Sequence, residues 1–344
     1  MHNRRFLCAI LLTAVLSVVA QAQDAVRTLI PTNDLFESWD NLNQRILYHR
    51  TSLKPKSANV YAADTQGKQT LAIDVLKDFP GALHSYVGLS NVAGGPQGDV
   101  VLFCLLDYGD GLLKNLILNY SSSGVLKGVI DAGPYEAGAL TVDELGNIYM
   151  FGSNYQYQVD DPKAVYPTVV KFGPDGHVLQ TMLLLSNFSA TGDYPADSSK
   201  QNGPPLLAVT PRGIEVFAAS SGRWFLLSQQ GEIIAQKDLS RITARIAHQF
   251  KFRRASVMQS FLEPNGLLVL AVRLDDGPFD KRNVPPPDKM RFESLWLRVD
   301  PSSMALMELA QDGNHEGKRI VGIGRDGNPV HALCQQDGSL RLEY

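Results

Sequence analysis

Short apolar runs and glycine-containing turns alternate along most of this chain. In ALTVDELGNIYMFGS, residues 139–153, an apolar run enters a turn at Gly146 and a second apolar run leaves it. This pattern predicts a β-hairpin, because a glycine late in the turn can take the positive φ that a short loop between twisted strands requires. Related stretches surround four more turn glycines: Gly98, Gly213, Gly266 and Gly327.

A second type of hairpin alternates with the first, with turns near Gly67, Gly124, Gly176, Gly231 and Ser303. The pair of hairpins recurs about every 50 to 60 residues, which indicates a repeated unit of four antiparallel strands. Such units are typical of β-propeller blades, whose strands are apolar on both faces. The length favours six blades, with five or seven as alternatives. We expect residues 23–344 to form one all-β domain, closed by a strand near residues 26–30 that pairs with the C-terminal strands.

The best-preserved repeat resembles the repeat of NHL-type and related six-bladed propellers. That repeat has an aliphatic-x-Asp-x-x-Gly-Asn-Ile-Tyr-Val core and a later aliphatic-x-Lys-Phe-x-x-x-Gly hairpin. The matching positions are Val142, Asp143, Gly146, Asn147, Ile148, Tyr149, Lys171, Phe172 and Gly176. The resemblance implies a propeller fold and no particular activity. We expect Asp143 to accept hydrogen bonds from the turn backbone, and Asn147 and Tyr149 to pack or cap there.

The N-terminus predicts export from the cytoplasm. A basic pair, Arg4 and Arg5, precedes an apolar run and the small-x-small sequence Ala20-Gln21-Ala22, as in a secretory signal. We expect residues 1–22 to be removed after Ala22, giving a secreted or periplasmic monomer with no membrane span; an uncleaved anchor is the alternative. The formal net charge of −3 argues against nucleic-acid binding, which needs a basic surface.

Two cysteines remain in the mature chain. Cys104 and Cys334 both lie in apolar, strand-like runs. Buried free thiols are the expected state, although export permits a disulfide.

The antiparallel order predicts where a site lies. Turns within each hairpin emerge on one face of a propeller, and the remaining connections emerge on the other. The long segments all belong to the second class: 77–85, 154–166, 187–205, 240–257 and 274–292. Long loops carry functional residues more often than the strands of the scaffold do. We therefore expect this face to bind a protein, peptide or glycan.

Two of these segments contain candidate ligand-binding residues. Tyr155, Tyr157, Asp160 and Asp161 suit a polar ligand or sugar, or else pin their own loop. Segment 240–256 predicts a short helix with Ser240 as N-cap and with Ile242, Ile246 and Phe250 facing the protein. Its cations favour an anionic ligand or partner, with a solvated charged face as the alternative; they are Arg241, Arg245, Lys251, Arg253 and Arg254.

An enzymatic alternative remains at this stage. His84, Glu136 and Asp107 could serve a hydrolase or lyase resembling lactonase-type propellers, with calcium or another divalent metal. The run DYGDG at 107–111 could bind calcium but lacks the full spacing of a calcium loop. The sequence contains neither a Gly-x-Ser-x-Gly elbow nor a phosphate-binding loop. A non-catalytic binding protein is therefore the favoured hypothesis.

Overall fold

The structure is a computed structural model. It describes residues 30–31, 35–50, 59–65, 68–87, 91–154, 166–188, 203–277, 291–311, 318–324, 327–334 and 339–343.

The described strands form six antiparallel sheets, numbered here in chain order. Sheet I contains β2 (Leu35–Asp40), β3 (Arg45–Arg50), β4 (Asn59–Ala63) and β5 (Gln69–Asp74), and helix α1 (Val75–Asp78) follows it. Sheet II contains β6 (His84–Tyr86), β7 (Val92–Gly94), β8 (Val100–Asp107), β9 (Leu113–Tyr120) and β10 (Leu126–Asp131). Sheet III contains β11 (Tyr135–Val142), β12 (Ile148–Asn154), β13 (Pro167–Phe172) and β14 (Val178–Leu184).

The remaining sheets follow the same order. Sheet IV contains β15 (Leu206–Thr210), β16 (Gly213–Ala218), β17 (Arg223–Leu227) and β18 (Ile233–Asp238), and helix α2 (Ser240–Gln249) follows it. Sheet V contains β19 (Arg254–Leu262), β20 (Leu268–Asp275), β21 (Phe292–Asp300) and β22 (Ala305–Gln311). Sheet VI contains β23 (Lys318–Ile323), β24 (Pro329–Cys334), β25 (Ser339–Glu343) and the N-terminal β1 (Ile30–Pro31), in which Ile30 pairs with Leu340.

Neighbouring sheets contact one another through their first strands. Contacts link β2 with β7, β7 with β11, β11 with β15 and β15 with β19. Strand β23 then contacts both β19 and β2. Four-stranded antiparallel sheets placed side by side around their first strands define a β-propeller.

Each described hydrophobic cluster lies between two neighbouring sheets. On β8, Phe103 belongs to a cluster shared with sheet III, whereas its neighbour Cys104 belongs to one shared with sheet I. On β16, Val216 packs towards sheet III and Phe217 towards sheet V. Successive side chains of a strand point to opposite faces, so these strands are apolar on both faces because both faces are buried.

The hairpin at Asp143 has the predicted structure. Its Oδ1 accepts hydrogen bonds from the backbone N–H groups of Leu145 at 3.0 Å and Asn147 at 2.8 Å. Its Oδ2 accepts from Asn147 Nδ2 at 2.7 Å and from the Tyr149 hydroxyl at 3.1 Å. Burial and the neighbouring Asp143 carboxylate raise the pKa of Tyr149 well above its ordinary value. The expected capping role of Asp143 is confirmed.

The short turns also join neighbouring sheets. Arg45 Nη2 donates to the carbonyls of Gly98 at 2.9 Å and Asp99 at 3.0 Å, which links sheets I and II. Arg212 Nη2 donates to the carbonyl of Gly266 at 3.2 Å, which links sheets IV and V. We call this side of the propeller the turn face.

Three details differ from or refine the sequence analysis. Sheet I begins at Leu35, and its first strand had not been predicted. Sheet II contains two short strands, β6 and β7, that both pair with β8. Cys104 is a buried free thiol.

Among the described residues, no helix is long and apolar enough to cross a membrane.

Candidate functional site

The longest connections join strand ends on the side of the propeller opposite the turn face. They join the second and third strands of a sheet, or one sheet to the next; the longest are 155–166, 185–205, 239–253 and 276–291. We call this side the long-loop face. The candidate residues Tyr155, Tyr157, Asp160 and Asp161 lie outside the described residues.

Helix α2 is the best-described element of the long-loop face. Ile242, Ile246 and Ala247 are buried and pack in the hydrophobic cluster between sheets IV and V. The helix predicted from the spacing of its apolar residues is therefore confirmed. The predicted N-cap is wrong: Ser240 is the first helical residue, and Leu239 occupies the cap position. Leu239 is only 1% exposed, so apolar packing sets the start of this helix.

Cationic side chains cover the outer side of this helix and the chain that follows it. Arg241, Arg245, Lys251 and Arg253 are all exposed. Within the described part of the chain, none of them forms an ion pair with a carboxylate. Lys251 has a φ of 59°, which turns the chain sharply between α2 and β19.

Two further arginines extend this area. Arg291 stacks on the ring of Phe252 at 4.7 Å and donates from Nη2 to the carbonyl of Lys251 at 2.8 Å. Arg273 follows on β20 and is exposed. We call the whole set the basic surface; it comprises Arg241, Arg245, Lys251, Arg253, Arg273 and Arg291.

Arg254 behaves differently from its neighbours. The β19–β20 register places it opposite Asp275, and its Nε and Nη2 donate to the two carboxylate oxygens at 2.9 and 2.8 Å. Asp275 is 2% exposed. Although burial alone would raise its pKa, the hydrogen bonds from Arg254 and from the Gly277 N–H, with the charges of Arg254 and Arg273, lower it below the ordinary value. Arg254 therefore holds a buried carboxylate at the edge of the basic surface.

A cavity of about 250 Å³ opens between sheets IV and V beside this ion pair. Its walls are the turn between β16 and β17, the start of α2 and the first residues of β19. Hydroxyl-bearing residues supply much of the lining, and apolar residues supply the rest; the lining comprises Phe217, Ala219, Ser220, Ser221, Gly222, Leu239, Ser240, Thr243, Arg254, Ala255, Ser256 and Val257.

Ser256 is the most informative residue of this lining. It is 4% exposed and lines the cavity. The neighbouring Thr243 hydroxyl donates to the carbonyl of Ser240 at 3.0 Å. A buried hydroxyl at a cavity wall is normally satisfied by a protein group, water or a ligand.

The three candidate catalytic residues lie on two different sheets. His84 and Asp107 are opposite each other on β6 and β8, and Asp107 Oδ1 accepts a hydrogen bond from the Gly109 N–H at 2.8 Å. Glu136 is exposed near the start of β11, on sheet III. Within the described ranges, no group of three or more His, Cys, Asp or Glu side chains is arranged to hold a metal ion.

Sequence reasoning found the basic segment but missed the cavity, Ser256 and the role of Asp275. The segment containing Asp275 and Asp276 was recognised as a long loop, but nothing in it indicated the strand register that brings Asp275 to Arg254.

Comparisons with known proteins support the fold. No protein-family model matches the chain, and neither does any curated protein. A member of the DUF4221 family from Bacteroides vulgatus is similar in structure, with a TM-score of 0.51 and 8% identity over 92% of this chain and 95% of its own. A Bacteroides fragilis protein described as exported gives a TM-score of 0.50 and 11% identity, over 93% of this chain and 94% of its own.

A gluconolactonase from Xanthomonas campestris is more distant. Its TM-score is 0.45, with 12% identity over 93% of this chain and 88% of its own, and it carries no argument here. At such identities, structural similarity is evidence for the β-propeller fold alone.

Proposed function

We propose that this chain is an exported, non-catalytic binding protein that recognises an anionic partner through the basic surface. Its six sheets would be the six blades of an NHL-like propeller, with residues 1–22 removed on export. One observation carries the proposal: exposed cations gather on one side of an acidic chain, and four of them have no carboxylate partner among the described residues.

The contrast with the turn face supports this assignment. There, Arg45 is paired with Asp40, Lys127 with Asp99, Arg212 with Glu215 and Arg298 with Glu263. Those cations hold turns and neighbouring sheets together. Two cations of the basic surface also have carboxylate partners, Arg273 at Asp275 and Arg291 at Asp276. The other four form no ion pair with a described carboxylate, so their charge is available to a partner. A surface of one sign attracts an oppositely charged partner and accelerates its association.

The test is a charge reversal with a matched control. The double variant Arg245→Glu and Arg253→Glu changes two exposed arginines of the basic surface, whereas Lys68→Glu changes an exposed lysine on the turn face. Binding of a fluorescent polyanion, such as hexaglutamate or a heparin hexasaccharide, is measured by anisotropy at several salt concentrations.

We expect the wild type and Lys68→Glu to bind alike, with affinity that falls as salt screens the charges. The double variant should bind at least tenfold more weakly, because two attractive charges become repulsive. Equal binding by the double variant would refute the proposal.

No observation among the described residues favours the alternative of a metal-dependent hydrolase or lyase using His84, Glu136 or Asp107. Stoichiometric calcium or another divalent metal in the purified protein would favour it.

A further inference from the structure

The cavity between sheets IV and V differs in chemistry from the basic surface beside it. Its one charged lining residue, Arg254, already makes two hydrogen bonds to the Asp275 carboxylate. At the start of α2, the Ser240 N–H donates to Asp238 Oδ1 at 3.0 Å. Charge at this site is therefore largely compensated within the protein, and a free anion gains little by entering.

The lining instead suits a ligand rich in hydroxyl groups. Ser256 supplies a hydroxyl-bearing side chain to the lining, and the lone pairs of the Thr243 hydroxyl can still accept a hydrogen bond. Phe217, Leu239 and Val257 supply apolar wall on which C–H groups can pack. Pockets that combine an apolar lining with a few placed polar groups are typical of small-molecule sites.

The size of the cavity limits the ligand. Its volume of about 250 Å³ lies just below the roughly 300 to 1,000 Å³ of sites for drug-sized ligands. One ring with its substituents is therefore favoured over an extended ligand.

Helix α2 connects the cavity to the basic surface. Ser240 and Thr243 line the cavity, whereas Arg241 and Arg245 on the same helix are exposed. A chain with one ring in the cavity would extend past the helix and present its neighbouring units to these arginines.

From this arrangement we propose that the cavity binds one sugar ring of an acidic glycan, while the basic surface binds the acid groups of adjacent rings. The inference rests on the proposed binding function and names its partner class. An acidic glycan is favoured over an acidic peptide because the cavity presents hydroxyl groups and an apolar wall to a ring.

The test compares probes that share charge but differ in chemistry. Isothermal titration calorimetry measures the affinity of mature protein for a galacturonate hexamer, a heparin hexasaccharide, a neutral galactose hexamer and hexaglutamate. At least one acidic glycan should bind more tightly than both hexaglutamate and the neutral hexamer.

Ser256→Ala isolates the cavity, because it removes one hydroxyl and leaves the basic surface intact. We expect it to weaken acidic-glycan binding about fivefold, the usual effect of one lost hydrogen bond, and to leave hexaglutamate binding unchanged. Thr243→Val should act in the same direction. Ser122→Ala, at an exposed serine in the turn between β9 and β10 on the turn face, is the matched control, and thermal unfolding verifies that each variant is folded.

The outcomes separate the two proposals. If hexaglutamate binds as tightly as the acidic glycans, or if Ser256→Ala has no effect on them, the sugar cavity is refuted while the basic surface stands. If neither polyanion class binds but the neutral hexamer binds in a Ser256-dependent way, the proposed function is refuted while a sugar-binding cavity stands. If no probe binds, both are refuted.

Discussion

Removing Arg254 should destabilise the protein through Asp275. The variant Arg254→Ala leaves a carboxylate that is 2% exposed without its bidentate partner. Breaking a buried ion pair costs about 3 to 5 kcal/mol. Here the cost should be nearer 1.5 to 2.5 kcal/mol, about half of that range, because the Arg254 side chain is 28% exposed and Arg273 remains 3.7 Å from Asp275. The Gly277 N–H also continues to donate to the carboxylate at 2.9 Å.

The matched control is the neighbouring Arg253→Ala. Arg253 is exposed and forms no ion pair with any described residue, so its loss should cost less than about 0.5 kcal/mol. Urea unfolding at pH 7 measures the free-energy cost of both variants, and in a thermal scan the melting temperature of Arg254→Ala should fall by roughly 2 to 4 °C.

The pH dependence of the stability difference between wild type and Arg254→Ala tests the ion pair directly. The pKa of Asp275 is lowered in the folded state, so its contribution to stability is complete above the unfolded-state value of about 3.9. That contribution is lost as the pH falls through the folded-state pKa. The difference between wild type and Arg254→Ala should therefore shrink below about pH 4. A difference that stays constant down to pH 2.5, or one below 0.5 kcal/mol at pH 7, would refute the ion-pair account.

Three further predictions concern the scaffold. Gly266→Ala should lower the free energy of unfolding by about 1 to 3 kcal/mol, since Gly266 has a φ of 85° and an added Cβ would overlap the Arg212 guanidinium bonded to its carbonyl. The control Gly327→Ala, at a φ of 81° with open space around it, should lower it less in the same urea titration. Asp143→Ala should cost about 2 kcal/mol, because it leaves several turn donors unpaired; full stability would contradict the capping role. In a Cys334→Ser background, Cys104 should react with a thiol reagent only after unfolding, because burial raises its pKa to about 12; rapid labelling of the native protein would contradict its burial.

The glycine-centred hairpins could be predicted because their chemistry is local. Asp143 and Gly146 specify a turn within five residues, and the structure contains that turn. The first strand of sheet I was missed because its hairpin turn has no glycine: Gln44 takes the positive φ there, at 52°. A search for glycine turns does not detect such a hairpin.

The candidate site was only partly predictable because it depends on long-range register. The basic segment is visible as a run of cations, but whether each cation is free or paired depends on what the fold places opposite it. Arg254 pairs with a residue 21 positions away, whereas Arg253 does not. The cavity combines a turn, a helix and a strand from two sheets, and no short stretch of sequence contains all three.

The hydrogen bonds between sheets at the turn face have a consequence for how this scaffold can change. Arg45 and Arg212 tie neighbouring sheets through short turns, while the basic surface lies on the opposite side. The proposed recognition surface and the hydrogen bonds between sheets thus involve different residues on different sides of the propeller. Natural variation or laboratory loop grafting could alter residues 241–253 extensively, provided that the helix keeps its buried isoleucines. The same scaffold could then acquire new specificities without changes to the hydrogen bonds between its sheets.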